Sequence, residues 1–141
     1  MSRKSSAYAY LVFWGEEFSP QEFSSFIGLQ ATSFKIKGEE VRPGVLAKEC
    51  IWEFKYSSAD DCKGLDESLE QLRVTFSERA ELIRKFMMAH RMEARCTVVL
   101  TIRKNENPGL RLPPQFIRFL TEIGAGFELD GYHLSWMVIS R

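Results

Sequence analysis

The stretch from Ala94 to Arg103, ARCTVVLTIR, restricts the fold of this chain more than any other part of the sequence. Residues 97–102 are six β-forming residues in succession, with no Gly or Pro among them. A run of this type is typical of a strand that is buried on most of both faces, in the middle of a sheet. We therefore predict an interior strand over 94–103.

Helix-capping residues, turn residues and the spacing of apolar residues predict the remaining helices and strands. Ser19-Pro20-Gln21-Glu22 has the form of a capping box with Pro at the first helical position, and Gly28 is placed to end the helix that follows. Thr75 or Ser77 is expected to cap the second helix of a pair in the middle of the chain. The predicted strands are 7–14, 32–37, 49–56, 94–103 and 126–133, the predicted helices are 20–27, 65–76, 77–90 and 114–123, and 38–47 is expected to be a loop.

The two ends of the chain share one pattern of strand, Phe-rich helix, glycine and strand, over 7–37 and again over 94–133. Two such units predict an α+β, ferredoxin-like fold: one antiparallel sheet with helices on one face, and an internal βαβ duplication as a further hypothesis. With 141 residues, the chain is expected to form a single domain over 1–141, with residues 1–6 frayed.

The N-terminal sequence MSRKSSAYAYLVFW is basic and then apolar, as in a signal peptide. Its apolar run is short and rich in Tyr, and it meets Gly15, Glu16 and Glu17 where a cleavage site would have small residues. No segment reaches the roughly 18 to 20 apolar residues that span a bilayer. We therefore expect a first strand here, a cytoplasmic protein and no membrane partner.

The chain has 19 basic and 19 acidic residues, but their distribution is uneven. Residues 1–78 have 9 Lys/Arg and 13 Asp/Glu, a net charge of −4, whereas residues 79–141 have 10 and 6, a net charge of +4. Zero net charge argues against a dedicated nucleic-acid binder, and 94–103 lacks the pattern of an RNA-binding strand. Arg84, Lys85 and Arg91 are candidates for a basic patch that binds an acidic protein or RNA, with a protein favoured; the alternative is a solvated face.

The sequence predicts no catalytic residues, no metal site and no cofactor. Three widely spaced cysteines (Cys50, Cys62 and Cys96) contain no CxxC motif, so we expect free core thiols without a disulfide or zinc. His90 and His133 are expected to be packing residues, since a nucleophilic His–Cys pair would require one of these thiols within hydrogen-bond reach. Acidic pairs occur only in loops or at helix starts, where they favour solubility.

Aromatic residues are frequent in the predicted strands. If helices cover one face of the sheet, the other face should be covered by a second subunit, a partner or the loop 38–47. A small-ligand pocket between loop 38–47 and the sheet is a separate hypothesis, with Trp52, Tyr56, Arg42 and Lys37 as its lining. The face opposite the helices is expected to carry several of Tyr8, Tyr10, Trp14, Trp52, Tyr56 and Trp136.

Several short motifs follow one another along the chain: Ser19-Pro20, Gly28-Leu29, Thr32, Lys37-Gly38, Trp52 and Pro108-Gly109-Leu110. Their order resembles the bacterial domain-of-unknown-function family numbered 4279, over roughly residues 7–135. Family members usually have Pro where this chain has Ala31, a departure that affects only the entry to a loop. The resemblance implies no known activity and supplies no catalytic residues.

These observations favour a non-enzymatic binding or interaction module whose partner is another protein or a second copy. One specific version is an immunity-type protein that blocks a toxin through the charged helical face. The alternative is a small-ligand sensor or minor enzyme that uses the pocket beside loop 38–47. A deep concave pocket would favour the alternative, and a flat charged surface would favour the module.

Overall fold

The computed structural model describes residues 5–56, 62–103, 106 and 109–133, with the backbone alone for Cys62, Lys63 and His133. This part of the chain contains four helices and seven strands. Their bounds are β1 (Ser6–Gly15), α1 (Pro20–Ile27), β2 (Ser33–Lys35), β3 (Glu40–Arg42), β4 (Val45–Leu46), β5 (Cys50–Lys55), α2 (Cys62–Ser77), α3 (Ala80–His90), β6 (Glu93–Ile102), α4 (Pro114–Ile123) and β7 (Ala125–His133).

Five strands form the main sheet, in the order β2-β5-β1-β6-β7. The central strand β1 is antiparallel to both β5 and β6, and β2 is antiparallel to β5. However, β6 and β7 are parallel, because α4 carries the chain back before it enters the adjacent strand. The α+β class is therefore confirmed, whereas the prediction of a purely antiparallel sheet is wrong.

The two strand–helix–strand units end their helices in the same way, with Gly28 and Gly124 both at φ 75°. Their strands pair differently. In the first unit β5 lies between β1 and β2, whereas in the second unit β7 lies directly beside β6. The predicted duplication is therefore not confirmed.

The predicted strand 94–103 corresponds to β6, which lies between β1 and β7 as an interior strand. The side chains of Ala94, Cys96, Val98 and Leu100 are buried in the core. On the opposite face the side chains are partly exposed, apart from Thr97. The interior position is confirmed, and the apolar core lies on one side of this strand.

An aromatic cluster joins the helices to this side of the sheet. Phe13 of β1 lies 5.0 Å from Phe23 of α1 and 5.6 Å from Trp52 of β5, between ring centroids. The Trp52 indole Nε1 donates a hydrogen bond of 2.8 Å to Ser24 Oγ, so its polar atom is satisfied although the side chain is fully buried. Burying each such ring contributes roughly 1.5–3 kcal/mol.

The ends of α1 agree with the sequence signals. Ser19 Oγ accepts a hydrogen bond of 3.1 Å from the Glu22 amide, and Gly28 takes the left-handed conformation after the last turn. The prediction that Thr75 or Ser77 caps α3 is wrong, because α2 continues through Ser77. Helix α3 instead follows Arg79, whose side chain makes no capping hydrogen bond. Arg79 instead donates to the carbonyls of Ile27 (2.8 Å) and Thr75 (2.6 Å) at the ends of α1 and α2.

The segment 38–47, expected to be a loop, contains the two-stranded hairpin β3–β4. Gly44 permits the turn by adopting φ 78°, and its amide donates to Glu40 Oε2 at 3.2 Å. The hairpin strands are exposed, and the main sheet does not include them.

Candidate interaction surfaces

Helix α3 presents a stripe of exposed side chains that starts at Arg84. Met88 is four residues further along, on the same side of the helix, and Arg91 directly follows the last residue of α3. All three residues line the same groove. Met88 is 80% exposed, which is the largest exposure among the apolar side chains of the described residues. The stripe therefore offers an apolar side chain between two cations.

A groove of about 310 Å³ lies beside this stripe, where the C-terminal ends of α3 and α4 meet. Its walls are mainly apolar, since the buried side chains of Met87, Met92 and Ile123 contribute to them. Methionine side chains adapt easily to the shape of a partner, because they are unbranched and polarizable. We call this site the α3–α4 groove; it is lined by Arg84, Met87, Met88, Arg91, Met92, Ile123 and Gly124.

The two cations of the α3–α4 groove have no carboxylate partner in the described part of the chain. Neither Arg84 nor Arg91 forms an ion pair with any residue that the structure describes. Lys85, the third predicted partner-binding residue, does not line the groove and lies 3.9 Å from Glu81 Oε1 one turn earlier. Arg91 also has a left-handed backbone with φ 54°, a conformation that costs a non-glycine residue about 1 kcal/mol or more.

The second surface is the side of the main sheet that faces away from the helices. All four helices contribute to the core cluster, but Tyr8, Tyr10, Val12 and Trp14 on the other side of β1 are outside it. The three aromatic side chains are half-buried, and the rings of Tyr8 and Tyr10 stack 6.3 Å apart. We call this side the open face.

Charged side chains flank the aromatic residues of the open face. Lys55 Nζ lies 4.2 Å above the Tyr8 ring, and Arg95 Cζ lies 5.1 Å from the Trp14 ring centroid. Arg95 Nε also lies 3.5 Å from Glu128 Oε1 of β7. Cations in these positions are attracted by the ring faces and hold the rings in place.

The β7 edge of the open face is acidic. The Tyr132 hydroxyl donates a hydrogen bond of 3.2 Å to Asp130 Oδ2, and Glu128 is on the same face two residues earlier. The hydrogen bond to Asp130 raises the pKa of Tyr132 above its ordinary value, and the negative charge of Asp130 adds to this effect.

Residues 5–134, nearly the whole chain, match the family described as Domain of unknown function (DUF4279). The chain belongs to the DUF4279 family. The resemblance inferred from the motif order is thereby confirmed. Among curated proteins and among solved structures, none gives a significant match.

In this DUF4279 domain the four predicted ligand-binding residues lie in different environments. Trp52 is fully buried beneath α1, Tyr56 is half-buried on the same side, and Arg42 is exposed in the β3–β4 hairpin. Lys37 Nζ lies 3.6 Å from Glu16 Oε1. No hydrogen bond, ion pair or ring contact joins any two of these four described side chains, and their role in ligand binding stays a prediction.

The reactive side chains of the DUF4279 domain pack in or against the core. Cys50 and Cys96 are buried free thiols, and burial raises the pKa of Cys96 to about 12, which keeps it protonated. His90 stacks on Phe86 with 4.1 Å between ring centroids. The side chains of Cys62 and His133 lie outside the described residues.

Two negative findings hold for the described part of the chain. It contains no group of three His, Cys, Asp or Glu side chains placed to hold a metal ion. None of its helices is long and apolar enough to cross a membrane.

Sequence reasoning missed Met88 and most of the charges on the open face. The spacing of Arg84, Met88 and Arg91 was a usable signal, because it places an apolar residue between two cations on one helical stripe. The alternation within β5 was another, since Glu53 and Lys55 must face away from Trp52. The predicted open-face residue Trp136 lies outside the described residues.

Proposed function

We propose that this DUF4279 domain is a protein-binding module of the bacterial cytoplasm and that the α3–α4 groove is its binding site. The observation that carries the proposal is the exposed stripe formed by Arg84 and Met88 of α3 and by Arg91, the residue that follows this helix. Its apolar member is 80% exposed, and its two cations form no ion pair with a described residue. A surface of this kind gains contacts when a partner covers it.

The two cations and the apolar walls of the groove indicate which residues a partner segment should carry. Guanidinium groups bind carboxylates in a bidentate geometry, and Arg84 and Arg91 are on one helical stripe with Met88 between them. A complementary segment therefore carries Asp or Glu on either side of a large apolar residue. The apolar residue would cover Met88 and enter the groove above Met92 and Ile123.

An immunity-type protein is the specific version of this function that we propose. Such a protein blocks a toxin by binding it, and the binding surface needs shape and charge but no catalytic group. The arrangement of the reactive side chains supports a binding role, since Cys96 is buried and held protonated and His90 is stacked on Phe86.

We also propose a ferredoxin-like core within the fold, formed by β2, β5, β1 and β6. What supports it is that these four strands alternate in direction and are adjacent in this order. In this description α4 and β7 are an addition at the β6 edge, which makes the whole sheet mixed.

Peptide selection tests the binding site and does not require an identified partner. A phage-displayed library of random peptides is panned against the full chain, and selected peptides are titrated against an Arg84→Glu/Arg91→Glu variant. We expect the selected peptides to contain acidic residues beside a large apolar residue. Their affinity for the double variant should fall about tenfold or more, because two attractive charge pairs become repulsive.

Lys48→Glu is the matched control, because Lys48 is an exposed cation in the segment between β4 and β5. Its affinity for the selected peptides should equal that of the unmodified chain. Equal binding to the Arg84→Glu/Arg91→Glu variant, or a library that yields no specific peptide, would contradict the proposed site. For the immunity-type version, the product of the adjacent gene should co-purify with the chain and lose binding to the same double variant.

A further inference from the structure

We infer that two copies of this chain pack face to face through their open faces, related by a twofold axis parallel to β1. This inference does not depend on the α3–α4 groove, which lies on the helix side of the sheet. It rests on three features of the open face: an apolar centre, a balanced set of charges, and the positions of those charges relative to β1.

The apolar centre follows β1. Tyr8, Tyr10 and Trp14 are half-buried, and together with Val12 they form one continuous row on the middle strand of the sheet. Helices cover the opposite side of this strand, so the open face has no helix of the described residues against it. Val12 itself is buried, so the exposed apolar area of this row comes from the three aromatic rings. Tyr and Trp are enriched among the residues that dominate protein interfaces.

The open face carries charges of both signs, which favours a binding partner that also carries both signs. Among the described residues, three basic and four acidic side chains belong to this face, so these residues give it no net positive charge that would attract RNA or another polyanion. A second copy meets the requirement for a partner with both signs. The basic residues are Lys35, Lys55 and Arg95, and the acidic residues are Glu53, Glu93, Glu128 and Asp130.

The strand register places opposite charges on opposite sides of β1. Val12 pairs with Glu53 of β5 on one side and with Arg95 of β6 on the other. Two residues earlier in β1, Tyr10 pairs with Lys55 on the β5 side and with Thr97 on the β6 side.

The same arrangement extends to the outer strands. Thr97 lies beside Glu128 of β7, so the row of Tyr10 has Lys55 on one side and an acid on the other. In the row of Trp14, Ile51 lies between β1 and Lys35 of β2, and Glu93 of β6 is on the opposite side. Each of these three rows therefore carries a cation and an anion on opposite sides of β1.

A twofold axis parallel to β1 exchanges the β5 side with the β6 side and leaves each row at its own level. Glu53 of one copy then faces Arg95 of the second copy, and Arg95 faces Glu53 in return. Lys55 faces the side that carries Glu128 of the second copy. Sheets packed face to face are about 10 Å apart, a gap that Arg and Glu side chains span together. The interface is therefore self-complementary, as a twofold dimer requires.

A pair of charge reversals tests both the dimer and its axis. Light scattering of the full chain during size-exclusion chromatography should give twice the monomer mass of 16.3 kDa. Glu53→Arg alone should be monomeric, because the introduced guanidinium would face Arg95 of the second copy. Arg95→Glu alone should also be monomeric, because the introduced carboxylate would face Glu53. Each change should raise the dissociation constant about tenfold or more.

Mixing the two variants should restore the dimer. In the mixed pair, the introduced guanidinium of one copy faces the introduced carboxylate of the other. The remaining Glu53 faces the remaining Arg95, so both contacts are attractive again. Recovery on mixing also shows that both variants are folded. The Arg84→Glu/Arg91→Glu variant should remain a dimer, which separates this inference from the proposed groove.

Four outcomes would overturn the inference. A monomeric mass for the unmodified chain throughout an about hundredfold range of concentration excludes the dimer. A dimer that tolerates Glu53→Arg, or two monomeric variants that do not associate on mixing, excludes this face and this axis. A dimer lost in the Arg84→Glu/Arg91→Glu variant would assign self-association to the groove instead.

Discussion

Replacing Arg91 with Gly is expected to stabilise the fold while it weakens binding at the α3–α4 groove. Arg91 follows the last residue of α3 with φ 54°, and its amide donates to the Met87 carbonyl. An L-residue in this left-handed region places its Cβ too close to the following carbonyl, which costs about 1 kcal/mol or more, whereas glycine has no such penalty. The exposed Arg91 side chain forms no ion pair with a described residue to offset this cost.

The expected gain can be converted into a melting temperature. A change of about 1 kcal/mol shifts the Tm of a domain of this size by about 3–4 °C. Thermal unfolding followed by circular dichroism should therefore show a rise of this size for Arg91→Gly. Affinity for the selected acidic peptides should fall at the same time, by roughly three- to fivefold, because one of two guanidinium groups is lost.

Arg84→Gly is the matched control, since it makes the same chemical change on the same stripe seven residues earlier. Arg84 lies in the interior of α3, where glycine costs about 1 kcal/mol relative to good helix formers. Both variants should bind the peptides more weakly, but their melting temperatures should move in opposite directions. A lower Tm for Arg91→Gly would refute the reasoning and show that the Arg91 side chain stabilises the fold through its contacts.

Buried polar groups and a buried thiol give three more expected outcomes. Ser24→Ala leaves the buried Trp52 indole without its hydrogen-bond acceptor and should lower the free energy of unfolding in urea by about 1–3 kcal/mol. The control is Ser25→Ala, which changes a neighbouring exposed residue and should have little effect. Equal effects of the two substitutions would argue against this role of Ser24. Arg79→Lys should cost about 1–2 kcal/mol, because an ammonium group does not reproduce a guanidinium that binds two helix ends, and an unchanged midpoint would contradict this. Burial raises the pKa of Cys96 from its ordinary value of 9.0 to about 12. As the pH rises, the thiol therefore loses its proton first in the unfolded chain. The free energy of unfolding should fall between the two pKa values. Alkaline unfolding of Cys96→Ala should be less steep than that of the unmodified chain; an identical slope would rule out Cys96 as the titrating group.

Sequence reasoning succeeded where the signal and its consequence are close together in the chain. The capping residue Ser19 and the terminating Gly28 act within one helix, and both ends of α1 were predicted correctly. The run within β6 is apolar enough to require an interior strand wherever it pairs. These elements form from local interactions that the sequence displays directly.

The failures involve contacts between distant residues. Arg79, which lies between α2 and α3, donates a hydrogen bond to the carbonyl of Ile27, 52 positions away in sequence. No local sequence pattern indicates this contact. Alternation within β5 separates Trp52 from Glu53 and Lys55, but it does not say which side the helices cover. The opposition of Glu53 and Arg95 across β1 depends on the register of two strand pairs and is visible only when both are known.

The two proposed surfaces lie on opposite sides of one sheet, so both can be occupied at the same time. The α3–α4 groove belongs to the helix layer, since Met87 and Ile123 in its walls are members of the core. A dimer formed through the open faces would therefore leave both grooves exposed and directed away from each other. Two identical sites on a rigid dimer can engage two copies of a partner, or two repeats in one partner, and the second contact then forms at a high effective concentration. Because Glu53→Arg removes the dimer but not the groove, it should weaken binding to a surface coated with the selected peptide while leaving affinity for the free peptide unchanged.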